Sequence, residues 1–203
     1  MKRIFFIALV ALALPIAAFA NDVDFGNDGG TIGFGNNALS LTGSVLGSVS
    51  GLGNGMCSVA QPCGSVAFTT GSLISGDVLN GAIFGPGGTI TIMGNGKDGL
   101  PNGIIFQGSF SGDTSWTHTG TIGQSPVITY DLFGNISGKW FNGTTVSGSM
   151  TQLTVNTGPN GFQGSAGLAS GDIFIATPEP GTLGLLGTGL VALAGIVRKR
   201  YRG

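Results

Sequence analysis

The sequence predicts an all-β domain, an antiparallel β-sandwich or barrel with a β-solenoid as the alternative, set between an N-terminal signal peptide and a C-terminal transmembrane helix. Three observations carry that expectation. Helical periodicity is nearly absent from the middle of the 203-residue chain, which Gly (40 residues), Ser, Thr and Asn punctuate every few positions. Short alternating or β-branched runs stand between the punctuation. Charge-free apolar runs occupy both ends, each beside basic residues.

Composition favours an ordered middle region. Charged residues make up 8% of the chain, against roughly 25% in an average globular protein. Yet 13 Phe and two Trp are spread along it with many Val and Ile, types in which disordered chains are poor. The net charge of −1 hides an asymmetry, because six of the eight basic residues lie at the two ends. Between residues 21 and 177, Lys97 and Lys139 face eight Asp, a net charge of −6. Nucleic-acid binding rests on basic patches, so nucleic acid is excluded as a partner.

Residues 1–20 have the three parts of a secretory signal peptide. Lys2 and Arg3 form the positive start, Ile4 to Leu14 the apolar stretch, and Ala18-Phe19-Ala20 an A-x-A cleavage site before Asn21. The segment calls for a Sec-type export machinery and signal peptidase. Export decides the reading of "CSVAQPC", since two cysteines in an exported chain pair. Cys57 and Cys63 are therefore expected as a structural disulfide. A zinc site would need two further ligands, and His118 is the only histidine. No cofactor and no metal are expected.

Residues 21–177 form the Gly/Ser/Thr-rich β domain. "NDVDFGND" (Asn21 to Asp28) reads as a solvated leader, because the Glu that an EF-hand loop needs is missing. Phe34 to Met56 reads as either an edge strand pair or a mobile entry segment. "GTITIM" alternates Thr with Ile, and "GIIFQGSF" sets Ile104, Phe106 and Phe110 on one face. "PVITYDLF" opposes Ile128, Tyr130 and Leu132 to Thr129 and Asp131. "KWFNGTTV" is the clearest hairpin signal, with Asn142-Gly143 between aromatic and β-branched residues. "GDIFIA" closes the domain as a last strand. "GNGKDG" (Gly94 to Gly99) has the form G-x-G-x-x-G, but "LPNG" opens no helix after it, so it reads as a turn.

The catalytic inventory is poor. There is no G-x-S-x-G elbow, and the one Glu is Glu179. Asp113, Asp131 and Asp172 are the carboxylates a secreted hydrolase would use, without a spacing that favours a pair. Trp116 and Trp140, with Tyr130 and Phe141, would supply the aromatic platform of a carbohydrate-binding module, although core packing accounts for the same residues. An ice-binding face would want an array of Thr, of which Thr89, Thr91, Thr117, Thr119 and Thr121 are fragments.

Residues 178–203 read as an address. Pro178-Glu179-Pro180 precedes the uncharged run Gly181 to Val197, after which Arg198, Lys199, Arg200 and Arg202 arrive almost together. Seventeen helical residues span about 25 Å, which snorkelling and local thinning match to a hydrocarbon core of about 30 Å. The basic residues would stay cytoplasmic as the tail 198–203. Pro-Glu-Pro, apolar helix and basic end together resemble a PEP-CTERM sorting signal of Gram-negative bacteria. The resemblance implies processing near Pro178–Pro180 by an exosortase, and an association with exopolysaccharide and surface display. The expected function is that of a non-catalytic surface or extracellular-matrix protein. It would be tethered in the inner membrane and then placed at the cell surface, in the periplasm or outside. A carbohydrate- or ice-binding module and a secreted hydrolase are the alternatives.

Overall fold

The computed structural model describes residues 22–53 and 57–177. The signal cleavage residues Ala18, Ala20 and Asn21, the sorting motif Pro178, Glu179 and Pro180, the expected helix 181–197 and the basic tail lie outside the described residues. Asp22–Ala176 forms one compact unit. It contains strands and no helix among the described residues, and none there is long and apolar enough to cross a membrane.

The strands line up as eight long staves. β1 (Val23–Asp28) and β2 (Thr31–Gly35) make the first, and β3 (Ala38–Ser50) the second. β4 (Gly64–Thr69) continues into β5 (Leu73–Asp77), and β6 (Gly81–Phe84) into β7 (Gly87–Asn95). β8 (Asn102–Phe110) continues into β9 (Thr114–His118), followed by β10 (Tyr130–Trp140), β11 (Thr145–Thr154) and β12 (Ser165–Ala176). The broken staves keep one register across their breaks: β12 pairs Gly171 with Asn27 of β1 and Gly167 with Thr31 of β2. At that break Gly29 and Gly30 have φ of +65° and +84°, a conformation open to Gly at no steric cost.

Each stave pairs antiparallel with the next, and β12 returns to β1, with Val23 opposite Ile175. The result is a closed, up-and-down barrel whose ring is β1, β3, β4, β7, β8, β10, β11 and β12. Of the two expected architectures, sandwich and barrel, the barrel is observed, because one sheet closes on itself. The solenoid is ruled out by next-neighbour antiparallel pairing. Closure abolishes free edges over the ring, and β5 at the rim is paired to β6 alone.

Alternation sends one set of side chains inward. Phe25, Leu41, Ile92, Phe106, Leu132 and Ile173 are among those fully enclosed. Outward positions of β10, β11 and β12 are mostly Ser, Thr, Asn and Asp, the reverse of a wall that faces lipid. Turns follow local chemistry. Asn36 and Asn37 both have positive φ (51° and 63°) between the paired Gly35 and Ala38, as a two-residue type I′ hairpin requires. The Asn142-Gly143 hairpin joins β10 to β11, with Gly143 N–H donating to Trp140 O at 2.8 Å.

Three expectations are corrected. "NDVDFGND" is not a solvated leader: Val23, Phe25 and Asn27 point into the barrel as β1. Over its described residues 34–53, the stretch expected as an edge strand pair or a mobile entry segment is neither, since β3 is a ring strand bonded to β1, β2 and β4. In "GIIFQGSF" the inward residues are Ile105, Phe106 and Phe110, while Ile104 is exposed, because a bulge opposite Ile92 and Met93 shifts the register.

Cys57 and Cys63 form the expected disulfide, with Cα atoms 5.5 Å apart. It lies in the connection between β3 and β4. Cys63 is buried, donates its N–H to Leu46 O and accepts the Asn95 N–H at its carbonyl, so the cross-link is fastened to β3 and β7. Asp98 Oδ2 sits 3.3 Å from Cys63 Sγ, and because both sulfurs are already bonded to each other this group does not make a metal site.

Candidate functional site

The two tryptophans expected to offer a ligand platform close the barrel instead. Trp116 is fully buried, stacks on Tyr130 at 5.0 Å and meets the edge of Phe162 at 5.2 Å. Its Nε1–H donates to Val78 O at 2.9 Å, and the Tyr130 hydroxyl donates to Leu79 O at 2.7 Å. Trp140 is 7% exposed and packs on Phe25 at the opposite end. An inward position on a strand hides the ring, so neither residue presents a face to solvent. Of the four rings considered, only Phe141 is exposed.

The exposed aromatic surface lies elsewhere, on the outer wall of β10, β11, β12 and β1. Phe133 is 47% exposed on β10 and Phe174 41% on β12. Each follows an Asp by two residues, in Asp131-Leu132-Phe133 and Asp172-Ile173-Phe174. The middle residue of each triplet is fully buried, so strand alternation turns both flanking side chains outward. The register places Phe133 opposite Thr151 and Thr151 opposite Asp172, while Ser149 stands opposite Phe174. Phe174 faces Asp24 across the β12–β1 seam. Beside the rings, and lined by neither of them, an open groove of about 470 Å³ runs past Thr151, Leu153, Ser170, Asp172, Gly26, Asp28 and Asp131.

The electrostatics of this wall are acidic. Four of the eight Asp in the domain stand on it: Asp24, Asp28, Asp131 and Asp172. Burial, and then the neighbouring Asp172 by hydrogen bond and charge, raise the Asp24 pKa to about 6, only partly offset by the Phe25 amide. Asp24 Oδ1 is buried without a hydrogen-bond donor. Burial also raises the pKa of Asp131, whose Oδ1 is likewise without a donor.

The folded pKa of Asp24 lies above its unfolded value of 3.8. Folding therefore takes up a proton, and its stabilising contribution is complete below about pH 4 and lost as pH rises through about 6. A shift of this size corresponds to at most about 3 kcal/mol, and to about half that at a site water partly screens. Asp24→Asn is expected to raise the melting temperature at pH 7 and to leave it little changed at pH 4. Thermal unfolding of both proteins across that range checks it, and equal melting curves at pH 7 would contradict it.

Inside the same wall a polar cluster is fully enclosed. Asn27 Nδ2 donates to Gln152 Oε1 and to Ser44 Oγ, both at 2.9 Å, and Gln152 Nε2 returns a bond to Asn27 Oδ1 at 3.1 Å. Ser44 Oγ donates to Asp28 O at 3.1 Å. The cluster ties β1, β3 and β11 together behind the acidic face. His118, on β9, is half-buried with its ring 5.5 Å from Tyr130. Asp113 sits between β8 and β9, away from Asp131 and Asp172.

The strand geometry accounts for the domain and leaves its delivery to the C-terminal segment. There a family model for the PEP-CTERM protein-sorting motif matches residues 176–200. The chain carries a PEP-CTERM sorting motif. That motif supports a PEP-CTERM domain-containing exosortase substrate, and it implies an exported, membrane-transiting protein with exosortase as the sorting partner. No curated protein and no solved structure matches the chain. The missed signal in the domain is the repeated Asp-x-Phe triplet, whose alignment appears only with the strand register.

Proposed function

We propose that the barrel is a non-catalytic module of the cell surface or extracellular matrix, delivered and released through its PEP-CTERM tail, and that it associates there with exopolysaccharide. The observation that carries this reading is the sorting motif joined directly to a domain whose interior is filled by side chains. Its polar outer wall is therefore the surface left for contact.

One observation favours the hydrolase reading: Asp24, with its raised pKa, beside Asp172. A retaining glycosidase, however, holds its two carboxyl groups about 5 Å apart across the scissile bond. Asp24 and Asp172 are hydrogen-bonded to each other on an open wall, which leaves no room for a bond between them. The non-catalytic reading is the stronger.

Mass spectrometry of the C-terminus, on chain recovered from membranes, cell surface and medium, tests the proposal. A species ending between Thr177 and Pro180 outside the membrane fraction is expected. Replacing Pro178, Glu179 and Pro180 with alanine is expected to leave full-length chain in the membrane. An unprocessed chain ending at Gly203 and confined to membranes in the wild type would overturn it.

A further inference from the structure

We propose that the outer wall of β10, β11, β12 and β1 is a docking face for a linear glycan of amine-bearing hexoses, each triplet Asp131-Leu132-Phe133 and Asp172-Ile173-Phe174 engaging one part of the polymer. The proposal rests on the reading of the barrel as a contact module and specifies what it contacts.

The repetition of the triplet is the first ground. β10 and β12 both run antiparallel to β11, so the two triplets point the same way. Phe133 lies level with Asp172 through Thr151, which displaces the second triplet by two strands and two residues. From strand spacing and rise, the path along the wall is about 12 Å. The same carboxylate and the same ring recur two staves on, about a quarter-turn round the eight-stave ring, and so suit a ligand whose own groups repeat along a chain that follows the curve of the wall.

The chemistry of the wall selects the ligand class. An exposed Phe offers a flat apolar surface to the C–H face of a sugar ring, and Ser149 and Thr151 set hydroxyls between the two rings to meet sugar hydroxyls. Apart from Asp24, which takes up a proton near pH 6, the carboxylates of the wall call for positive charge. Lys139 is the only cation on these four strands among the described residues, and it lies further along β10, donating to Thr145 Oγ1 at 2.8 Å. An acidic polysaccharide is repelled; an amine-bearing one is complementary. A basic peptide fits less well, because β11 and β12 are paired on both sides and give an extended peptide no backbone to join.

Titration of the full chain with glucosamine oligomers, below neutral pH where their amines are protonated, tests the inference. Saturable binding is expected, weakened by salt and tightening with oligomer length as both triplets are engaged. Phe133→Ala and Phe174→Ala should each raise Kd by about fivefold or more. Asp172→Asn should remove the preference over the N-acetylated oligomer. These side chains point into solvent, so the melting temperatures of the two Phe variants should stay close to wild type. Absence of binding, binding indifferent to both Phe substitutions, or equally tight binding of oligolysine would overturn the inference. A failed titration alongside a processed chain in the matrix removes this inference alone; failed sorting with intact binding removes the proposed function alone.

Discussion

Trp116→Ala is expected to destabilise the barrel by about 4 kcal/mol, the range for deleting a large buried aromatic. The ring is fully enclosed, so its removal leaves a cavity lined by Tyr130 and Phe162. The Val78 carbonyl also loses the indole donor. For a domain of this size each kcal/mol shifts the melting temperature by about 2–4 °C, so a fall of at least about 8 °C should appear in calorimetry. Glucosamine-oligomer affinity, measured below the new transition, should stay near wild type. Weakened binding with an unchanged melting temperature would instead place Trp116 in a ligand site.

Gly171→Ala should cost about 3 kcal/mol, for a reason that only the assembled barrel reveals. A Cβ there would lie 2.2 Å from Gln152 Oε1 and 2.4 Å from Asn27 Oδ1. Both atoms end flexible side chains, but the two side chains are buried and each oxygen accepts from the other's amide N–H, so neither can retreat without orphaning its partner. Overpacking and a broken buried hydrogen bond each cost about 1–3 kcal/mol. The diagnostic is a double-mutant cycle. In a Gln152→Ala background the alanine at 171 gains room, and its added cost should fall below about 1 kcal/mol. Additive costs in denaturant titrations would mean that Gly171 is required for some other reason.

How much of this was legible beforehand depends on how far each interaction reaches along the chain. "GTITIM" and the Asn142-Gly143 hairpin were readable because alternation and turn chemistry are local. Closure was not, since it depends on Val23 meeting Ile175, a pairing no window on the sequence contains. β3 was obscured by its own irregularities. A register shift between Leu41 and Ser44 and another near Ser48 break its alternation, so that Leu41, Ser44, Leu46 and Val49 point inward at uneven spacing. The tryptophans were ambiguous for a different reason. A ring on a strand looks the same in sequence whether it faces in or out, and only neighbouring residues in register decide. Asp131-Leu132-Phe133 and Asp172-Ile173-Phe174 are alike in sequence, but their alignment across β11 needed the fold. The disulfide and the tail were legible, because export and spacing alone specify them.

The first and last strands of the ring share a seam, and β12 ends at Ala176, where the match to the sorting motif begins. A nascent chain leaves its translocation channel from the N-terminus onward, so β1 must wait, one edge unpaired, until the final strand has emerged. The ring can shut only at the last moment of secretion. No spacer follows, and Pro178 is two residues beyond Ala176, within about 7 Å of extended chain. The last strand to complete the ring is thus also the stretch of sequence that adjoins the sorting motif, so the domain finishes folding only as its address emerges.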